Sequence, residues 1–247
     1  MKDQIADYWN KRANTYSEMI NEDMNSFKFN AWSQIIKKNA GNKSHIKALD
    51  IGTGPGFFAI LMSKLGYDVT AVDCSTSMLE EARSNVQLAG ENVKFIKADV
   101  ENLNMPENSF DLIINRNVTW TLKDPVKDYK TWFNLLKNDG RLLIFDANWY
   151  LRLAEPEIEE EYRDDIKLAI NMGYDCKTNE RQRERCKDIA RDLPLTYKFR
   201  PDWDEKTLAE CGFKNILIEK DISEKIYTES EKAAYKTTPM FNICACK

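Results

Sequence analysis

Histidine is nearly absent from this sequence, which contains one histidine, His45, in 247 residues. Histidine is the side chain that most often changes charge near neutral pH, and it is the commonest metal ligand in proteins. One histidine cannot build a multi-histidine metal site, and it leaves little scope for a catalytic imidazole. We therefore expect no resident metal. We expect any general base to be a carboxylate, a tyrosine or the substrate itself.

Long apolar runs are also missing, since no stretch approaches the roughly 20 apolar residues that cross a bilayer. The start of the sequence lacks the apolar core of a signal peptide. With 36 basic and 40 acidic residues the formal net charge is −4, which gives no overall attraction for nucleic acid or an anionic membrane. Six cysteines are too sparse for a secreted disulfide scaffold. These features predict a cytoplasmic monomer or homodimer without a membrane or nucleic-acid partner.

The residues that are present favour one folded domain with elaborations. Hydrophobic residues make up 43% of the chain, which is enough for a substantial core. Short apolar runs alternate with amphipathic helical patterns from residue 45 to 146, which is typical of a doubly wound, mostly parallel α/β sheet. The predicted strands are 46–51, 68–72, 93–97, 110–115, 141–145, 213–220 and 240–246.

Two further segments interrupt or precede this alternation. The first 41 residues have apolar side chains at three- and four-residue spacing, which predicts helices. Residues 148–200 are highly charged and helix-like, and about 50 residues with few apolar runs would be marginal as a separate domain. We therefore expect a single domain over residues 1–247, with an N-terminal helical lid at 1–41. Residues 148–200 should form a helical cap inserted between the fifth and sixth strands.

A glycine-rich loop gives the strongest functional signal. A predicted strand runs into Gly52, Gly54 and Gly56, and a helical pattern follows. Glycines allow a sharp turn and a close approach of the backbone to a ligand. The next strand ends in Asp73, where a carboxylate can accept both hydroxyls of a ribose. A dinucleotide is disfavoured, because Phe57 stands where the third glycine of the dinucleotide loop belongs.

The runs LDIGTGPGFF (49–58), KADVENLNMPENSFDLIINRNV (97–118) and LLKNDGRLLIFD (135–146), together with Asp73, resemble the class I S-adenosylmethionine-dependent methyltransferases. Within that family the sequence is similar to the small-molecule group that resembles the methyltransferases of ubiquinone biosynthesis. The resemblance implies a seven-stranded Rossmann-like sheet whose last two strands form an antiparallel pair. It also implies S-adenosylmethionine as cofactor and S-adenosylhomocysteine as product.

Carried over position by position, the resemblance implies one set of cofactor-binding residues. Residues of the glycine loop should line the methionine part, the end of the second strand should hold the ribose and adenine, and the end of the fourth strand should face the sulfonium. The set comprises Asp50, Gly52, Thr53, Gly54, Gly56, Asp73, Cys74, Met78, Asp99, Val100 and Asn115.

The first predicted helix adds polar candidates. Tyr8, Arg12 and Tyr16 are spaced four residues apart, which places them near one face of a helix. Similar N-terminal helices in the related group imply that they cover the cofactor, with Arg12 and Tyr16 near its carboxylate. Methyl transfer from a sulfonium depends mainly on alignment of nucleophile and methyl group, so no catalytic residue is assigned. The candidates for catalysis are Tyr8, Tyr16, Asn115, Arg116 and Trp120.

Three functions remain open at this point. The preferred one is methyl transfer to a small-molecule acceptor by in-line displacement. The alternatives are a protein or RNA methyltransferase that docks through the charged insertion, and a cofactor-binding regulatory protein without turnover. Cys176 and Cys186 resemble, in part, the thiols of arsenite methyltransferases. Their ten-residue spacing is not a metal-binding signature, so a metalloid site is disfavoured.

Overall fold

A seven-stranded sheet forms the centre of the protein, in a computed structural model that describes residues 2–41, 43–175 and 178–247. The strand order is β3-β2-β1-β4-β5-β7-β6. Strands β1 to β5 are parallel, and β7 runs antiparallel to both of its neighbours. This confirms the predicted fold class. The strands are β1 Lys47–Ile51, β2 Asp68–Asp73, β3 Lys94–Lys97, β4 Phe110–Arg116, β5 Leu136–Asp146, β6 Lys214–Glu219 and β7 Phe241–Cys246.

Helices cover both faces of the sheet and the carboxyl ends of its strands. Local capping fixes several starts: the side chains of Ser26, Ser75 and Asp124 accept backbone N–H groups at the beginning of α2, α4 and α5, as expected for N-cap residues. The helices are α1 Lys2–Met24, α2 Phe27–Ala40, α3 Phe57–Lys64, α4 Thr76–Leu88, α5 Pro125–Leu135, α6 Pro156–Asn171, α7 Glu180–Arg191, α8 Asp202–Glu210, α9 Ser223–Ile226 and α10 Glu229–Ala234.

Alternate residues of the central strands belong to two separate hydrophobic cores, one on each face of the sheet. On one face, Phe145 packs with Trp32 of α2 and Phe58 of α3. On the other face, Ile113 lies in the cluster that contains Trp132 of α5. Both faces are therefore apolar, which is why the strands read as nearly continuous hydrophobic runs.

A third apolar cluster joins the N-terminal helix to the insertion. Tyr8 of α1 packs with Cys186 of α7 and with Trp120, which follows β4. Helix α6 packs against α10, so residues between β6 and β7 also belong to this layer. No element was predicted for residues 221–239, where two short helices, α9 and α10, form. Cys176 lies outside the described residues.

The start of the fifth strand was predicted wrongly. The strand was predicted over 141–145, whereas β5 begins at Leu136, directly after α5, and extends to Asp146. Its first residues form an irregular stretch in which the pairing with β4 shifts register and Asp139 has a positive φ of 62°. Among the described residues, no helix has the length and apolar character that a bilayer span requires.

Candidate active site

A cavity of about 540 Å³ opens at the carboxyl ends of β1, β2 and β4. Ligands of open parallel sheets bind at this edge, where the strand order reverses direction. The wall opposite the strands is the N-terminal helix, which contributes Ile5, Ala6, Trp9 and Tyr16. The cavity is therefore bounded by the sheet on one side and by α1 on the other.

The glycine loop forms the floor of the cavity through Gly52 and Gly54. Gly52 has a φ of 68°, and a Cβ at this position would lie 2.4 Å from Cγ2 of Val118. The loop is fixed to β2, because the N–H groups of Gly52 and Thr53 both donate to the carbonyl of Val72. No side chain other than hydrogen fits at residue 52 while Val118 keeps its place.

Gly56 has a different role from the one that the resemblance implied. It does not line the cavity. A Cβ at Gly56 would lie 3.3 Å from Cβ of Ala82, so its small size lets the start of α3 approach α4. The third glycine of the loop therefore serves helix packing.

Asp73 combines burial with a fixed orientation. The side chain lines the cavity and is 7% exposed. Its Oδ2 accepts the N–H of Gly54 at 2.9 Å, and its Oδ1 accepts the N–H of Ser75 at 2.8 Å. Burial raises the pKa of this carboxyl, and the backbone donors oppose the rise. Each oxygen can accept a further hydrogen bond, so the group suits a pair of ligand hydroxyls.

Beyond Asp73 the cavity is lined by Cys74, Met78, Asp99 and Val100, four of the residues predicted to bind the cofactor. Burial and the neighbouring acids raise the pKa of Cys74 to about 12, so this thiol is neutral. The sequence did not single out Lys97, Ala98, Glu101 or Lys123, which line the same end. The conformation of the chain after β3 and β4 brings these residues to the cavity. The sequence motifs do not specify which residues of these loops face it.

Asp50 and Thr53 lie beneath the loop and do not line the cavity. The Thr53 hydroxyl donates to Oδ2 of Asp50 at 2.6 Å. Burial raises the pKa of Asp50 to about 7, although Thr53 and Arg116 both oppose the rise. The two residues support the loop from below, which is a different position from the predicted contact with a ligand.

The end of β4 sends alternate side chains to opposite faces of the sheet. Arg116 lines the cavity. Asn115 is fully buried and does not line it, and neither amide atom of Asn115 has a hydrogen-bond partner among the described residues. Asn117, which the sequence did not single out, lines the cavity with a φ of 58°. Among the described residues its side-chain oxygen also has no hydrogen-bond partner.

The three polar residues predicted near one face of α1, Tyr8, Arg12 and Tyr16, lie in two different environments. Tyr16 lines the cavity, whereas Tyr8 and Arg12 do not. Tyr8 is buried beside Cys186, and burial raises its pKa. Trp120 is also buried in this third cluster, where its Nε1 donates to the carbonyl of Asn117 at 3.0 Å. The packing assigns Tyr8 and Trp120 to the core between α1 and α7.

A buried ionic network supports the loop after β4. Arg200 donates to Asp204 through Nε at 2.8 Å, to Asp146 through Nη1 at 3.1 Å and to Thr119 through Nη2 at 2.6 Å. Asp146 also accepts the N–H of Trp120 at 3.0 Å. The sequence did not single out Arg200, because nothing in its charged neighbourhood marks it as buried.

His45 is exposed and precedes β1, at the end of the sheet opposite the cavity. Among residues 2–41, 43–175 and 178–247, no group of three or more histidine, cysteine, aspartate or glutamate side chains is placed to hold a metal ion.

The fold and the position of the cavity are typical of the Rossmann-like class I methyltransferases, and known proteins agree. A family model described as a methyltransferase domain matches residues 49–144. The ubiquinone/menaquinone biosynthesis C-methyltransferase UbiE of Cronobacter sakazakii is 31% identical over 233 residues, covering 87% of this chain and 84% of the relative. The uncharacterized methyltransferase YcgJ of Bacillus subtilis is 36% identical over 113 residues, 45% of each chain.

Solved structures show the same fold. Phosphoethanolamine N-methyltransferase 2 of Haemonchus contortus, in complex with S-adenosyl-L-methionine, superimposes with a TM-score of 0.61 at 19% identity. That match covers 87% of this chain and 51% of the other. The chain likewise spans about half the length of two curated Bacillus subtilis relatives, methyltransferases YqeM and YcgJ, at 57% and 45%.

The chain belongs to the UbiE-like class I S-adenosylmethionine-dependent methyltransferases. The residues present fit that cofactor. Asp73 offers acceptors for ribose hydroxyls, and the backbone at Gly52 and Gly54 leaves space that a Cβ would fill. S-adenosylmethionine is thus the cofactor and S-adenosylhomocysteine the product, as the sequence motifs predicted.

Proposed function

We propose that this protein transfers the methyl group of S-adenosylmethionine to a small-molecule acceptor. The observation that carries the proposal is the cavity, which runs from Asp99 past Asp73 to Arg116 and is covered by α1. A site of this size with a helical cover suits a ligand that is enclosed on binding. The bound cofactor supplies a methyl group that is already activated by its sulfonium.

In this proposal the chain binds and orients. Asp73 accepts hydrogen bonds from the ribose hydroxyls, and Asp99 and Val100 bind the adenine edge. The Gly52 and Gly54 backbone allows the methionine part to lie against the loop. These assignments are supported by the cavity lining and by the fixed Asp73 carboxylate. Alignment inside such a site can supply much of the rate of a displacement reaction.

The N-terminal helix and the insertion act in this proposal as lid and cap. Trp9 and Tyr16 close the cavity from the side opposite the sheet. Tyr8 packs on Cys186 of α7, which connects the lid to the cap. Excluding water in this way strengthens electrostatic interactions with the ligand.

The small-molecule acceptor is favoured over the two alternatives by the shape of the site. A protein or RNA acceptor needs an open groove beside the methyl position, whereas α1 forms one wall of this cavity. A silent binding protein would be explained by a blocked acceptor end, whereas the cavity continues to Arg116, Asn117 and Thr121. UbiE, by its name, is a C-methyltransferase of ubiquinone and menaquinone biosynthesis, and its acceptor is not transferred to this chain.

Two measurements test the proposal. Calorimetry should show binding of S-adenosylmethionine and S-adenosylhomocysteine, and absence of both would refute it. The protein is then incubated with methyl-labelled cofactor and a cell extract separated into small-molecule, protein and RNA fractions. Label should enter the small-molecule fraction. Label confined to protein or RNA would contradict the proposed acceptor class, and absence of any transfer despite binding would favour the regulatory alternative.

A further inference from the structure

Arg116, at the end of β4, lines the cavity, and its guanidinium lies against three aromatic rings of the adjoining core. Its guanidinium carbon lies 4.9 Å from the ring centre of Phe57, 5.0 Å from that of Phe58 and 5.6 Å from that of Trp32. Ring faces attract and orient a cation. They do not replace the oxygen acceptors that match the five N–H donors of a guanidinium. The rings therefore fix Arg116 and leave its hydrogen-bonding capacity unused.

Within the described part of the chain, no carboxylate pairs directly with Arg116. In the part of the chain that the structure describes, its guanidinium has no ion pair with a carboxylate and no side-chain hydrogen bond. Asp50 is close enough to interact electrostatically, but one of its oxygens accepts the Thr53 hydroxyl. Arg200, by contrast, is fully paired with Asp146 and Asp204.

The surroundings of Arg116 point to an anion on a ligand. A sulfonium bound in this cavity would bring a second positive charge close to Arg116, and like charges in a partly buried site repel. The planar guanidinium fork matches a carboxylate in two parallel hydrogen bonds. Arg12, which the resemblance placed near the cofactor's carboxylate, does not line the cavity, whereas Arg116 does.

We propose that Arg116 binds a carboxylate-type anion of a ligand in this cavity, an inference that rests on the proposed function. Two ligands can provide that anion. One is the cofactor, through the α-carboxylate of its methionine part. The other is an acidic acceptor. The chemistry at Arg116 is the same in both cases, and binding measurements separate them.

The test compares the wild type with Arg116→Met in calorimetry. S-adenosylhomocysteine carries the α-carboxylate, whereas 5′-methylthioadenosine keeps the adenosine and the sulfur and lacks the amino acid. If Arg116 binds the cofactor, its loss should weaken S-adenosylhomocysteine by about 10- to 100-fold and leave 5′-methylthioadenosine unchanged. If it binds the acceptor, both nucleosides should be unchanged. Benzoate added to the protein saturated with S-adenosylhomocysteine should then bind the wild type at least about tenfold more tightly than the variant.

Two further variants sharpen the comparison. Arg83 lies over the ring of Phe95 at 5.2 Å, is exposed on α4 and does not line the cavity. Arg83→Met should therefore leave all three ligands unchanged. Arg116→Lys keeps the charge without the planar fork and should give an intermediate loss. Binding of 5′-methylthioadenosine by each variant shows that the site is folded.

The outcomes that overturn the inference are specific. If S-adenosylhomocysteine binds the wild type and Arg116→Met equally, and benzoate does not distinguish them, Arg116 binds no ligand anion. If the wild type binds neither nucleoside, the proposed function is wrong and the inference falls with it.

Discussion

Arg200 and Asp204 form a bidentate ion pair in the interior of the protein. Nε of Arg200 donates to Oδ2 of Asp204 at 2.8 Å, and Nη2 donates to Oδ1 at 2.9 Å. The two side chains are 1% and 0% exposed. The same guanidinium reaches Asp146 and Thr119, so the pair connects α8 to the loop beside the cavity.

Replacing Arg200 by methionine should destabilise the protein strongly. The change leaves two buried carboxylates without their cation, and breaking a buried pair in this way costs about 3–5 kcal/mol. Urea denaturation followed by tryptophan fluorescence measures the free energy of unfolding. Arg191→Met is the matched control, because Arg191 pairs with Asp188 at 2.7 Å with both side chains 56% exposed. That control should change stability by less than about 1 kcal/mol, and equal effects of the two variants would contradict the assignment.

Gly52→Ala should damage both stability and cofactor binding. Its new Cβ would meet Val118 at 2.4 Å and would adopt a positive φ. Gly66 also has a positive φ, but no atom lies within 4 Å of the Cβ that Gly66→Ala would add. This substitution should therefore show the backbone cost alone, about 1–2 kcal/mol. Gly52→Ala should exceed it by at least about 1 kcal/mol in thermal or urea unfolding.

A second substitution tests the steric cause. In the background of Val118→Ala the space beside residue 52 is larger, so the added cost of Gly52→Ala should shrink toward that of Gly66→Ala. An added cost that is unchanged in this background would show that contact with Val118 is not its origin.

Asp73→Asn should weaken binding of S-adenosylhomocysteine by about 10- to 100-fold, because the carboxylate that we propose as acceptor of two ribose hydroxyls is lost. The new amide would also direct N–H groups at backbone donors of Gly54 or Ser75, which now donate to the carboxylate. Asp68→Asn is the control, since Asp68 is exposed at the opposite end of the same strand. Calorimetry checks both variants, and an unchanged affinity of Asp73→Asn would remove the ribose assignment.

Asp128→Asn should stabilise the protein at alkaline pH. Asp128 is 1% exposed. Its oxygens have no hydrogen-bond partner among the described residues. Burial and the neighbouring Glu101 raise the pKa of Asp128 to about 7, from about 3.9 in an unfolded chain. The folded state therefore favours the protonated carboxyl, and stability is lost as pH rises from about 4 through about 7.

The advantage of Asp128→Asn over the wild type should be smallest near pH 4, should grow by about 4 kcal/mol between pH 4 and pH 7, and should level off above pH 7. Unfolding in urea at several pH values measures it. Glu107→Gln, at an exposed turn, should show no such trend. A variant that is less stable than the wild type at pH 8 would contradict the burial of a charge at residue 128.

Local signals allowed the sheet and one end of the site to be predicted. The apolar strands, the glycine turn at residue 52 and the acid that ends β2 are each readable within a few residues. Residues 221–239 were missed because α9 and α10 have four and six residues, too short for a helical period. Arg200 was missed because its burial depends on partners 54 and 81 residues away in sequence.

The prediction of one polar face on α1 failed in part for a geometric reason. Each four-residue step on an α-helix advances the side chain by about 40° around the axis. Tyr8 and Tyr16 are therefore about 80° apart, which separates α7 from the cavity. The four residues of α1 that line the cavity, Ile5, Ala6, Trp9 and Tyr16, span an arc of about 100° around the helix, and Tyr8 lies outside that arc.

The position of α1 has a consequence for the rate at which ligands exchange. One face of α1 lines the cavity, a second packs on α7 through Tyr8, and Asn10 accepts the Ser75 hydroxyl at the start of α4. If α1 acts as the lid that we propose, a ligand that passes it has to disturb these contacts together. The dwell time of the cofactor would then depend on how firmly α1 packs. A substitution that loosens α7 should shorten that dwell time without touching a residue of the cavity.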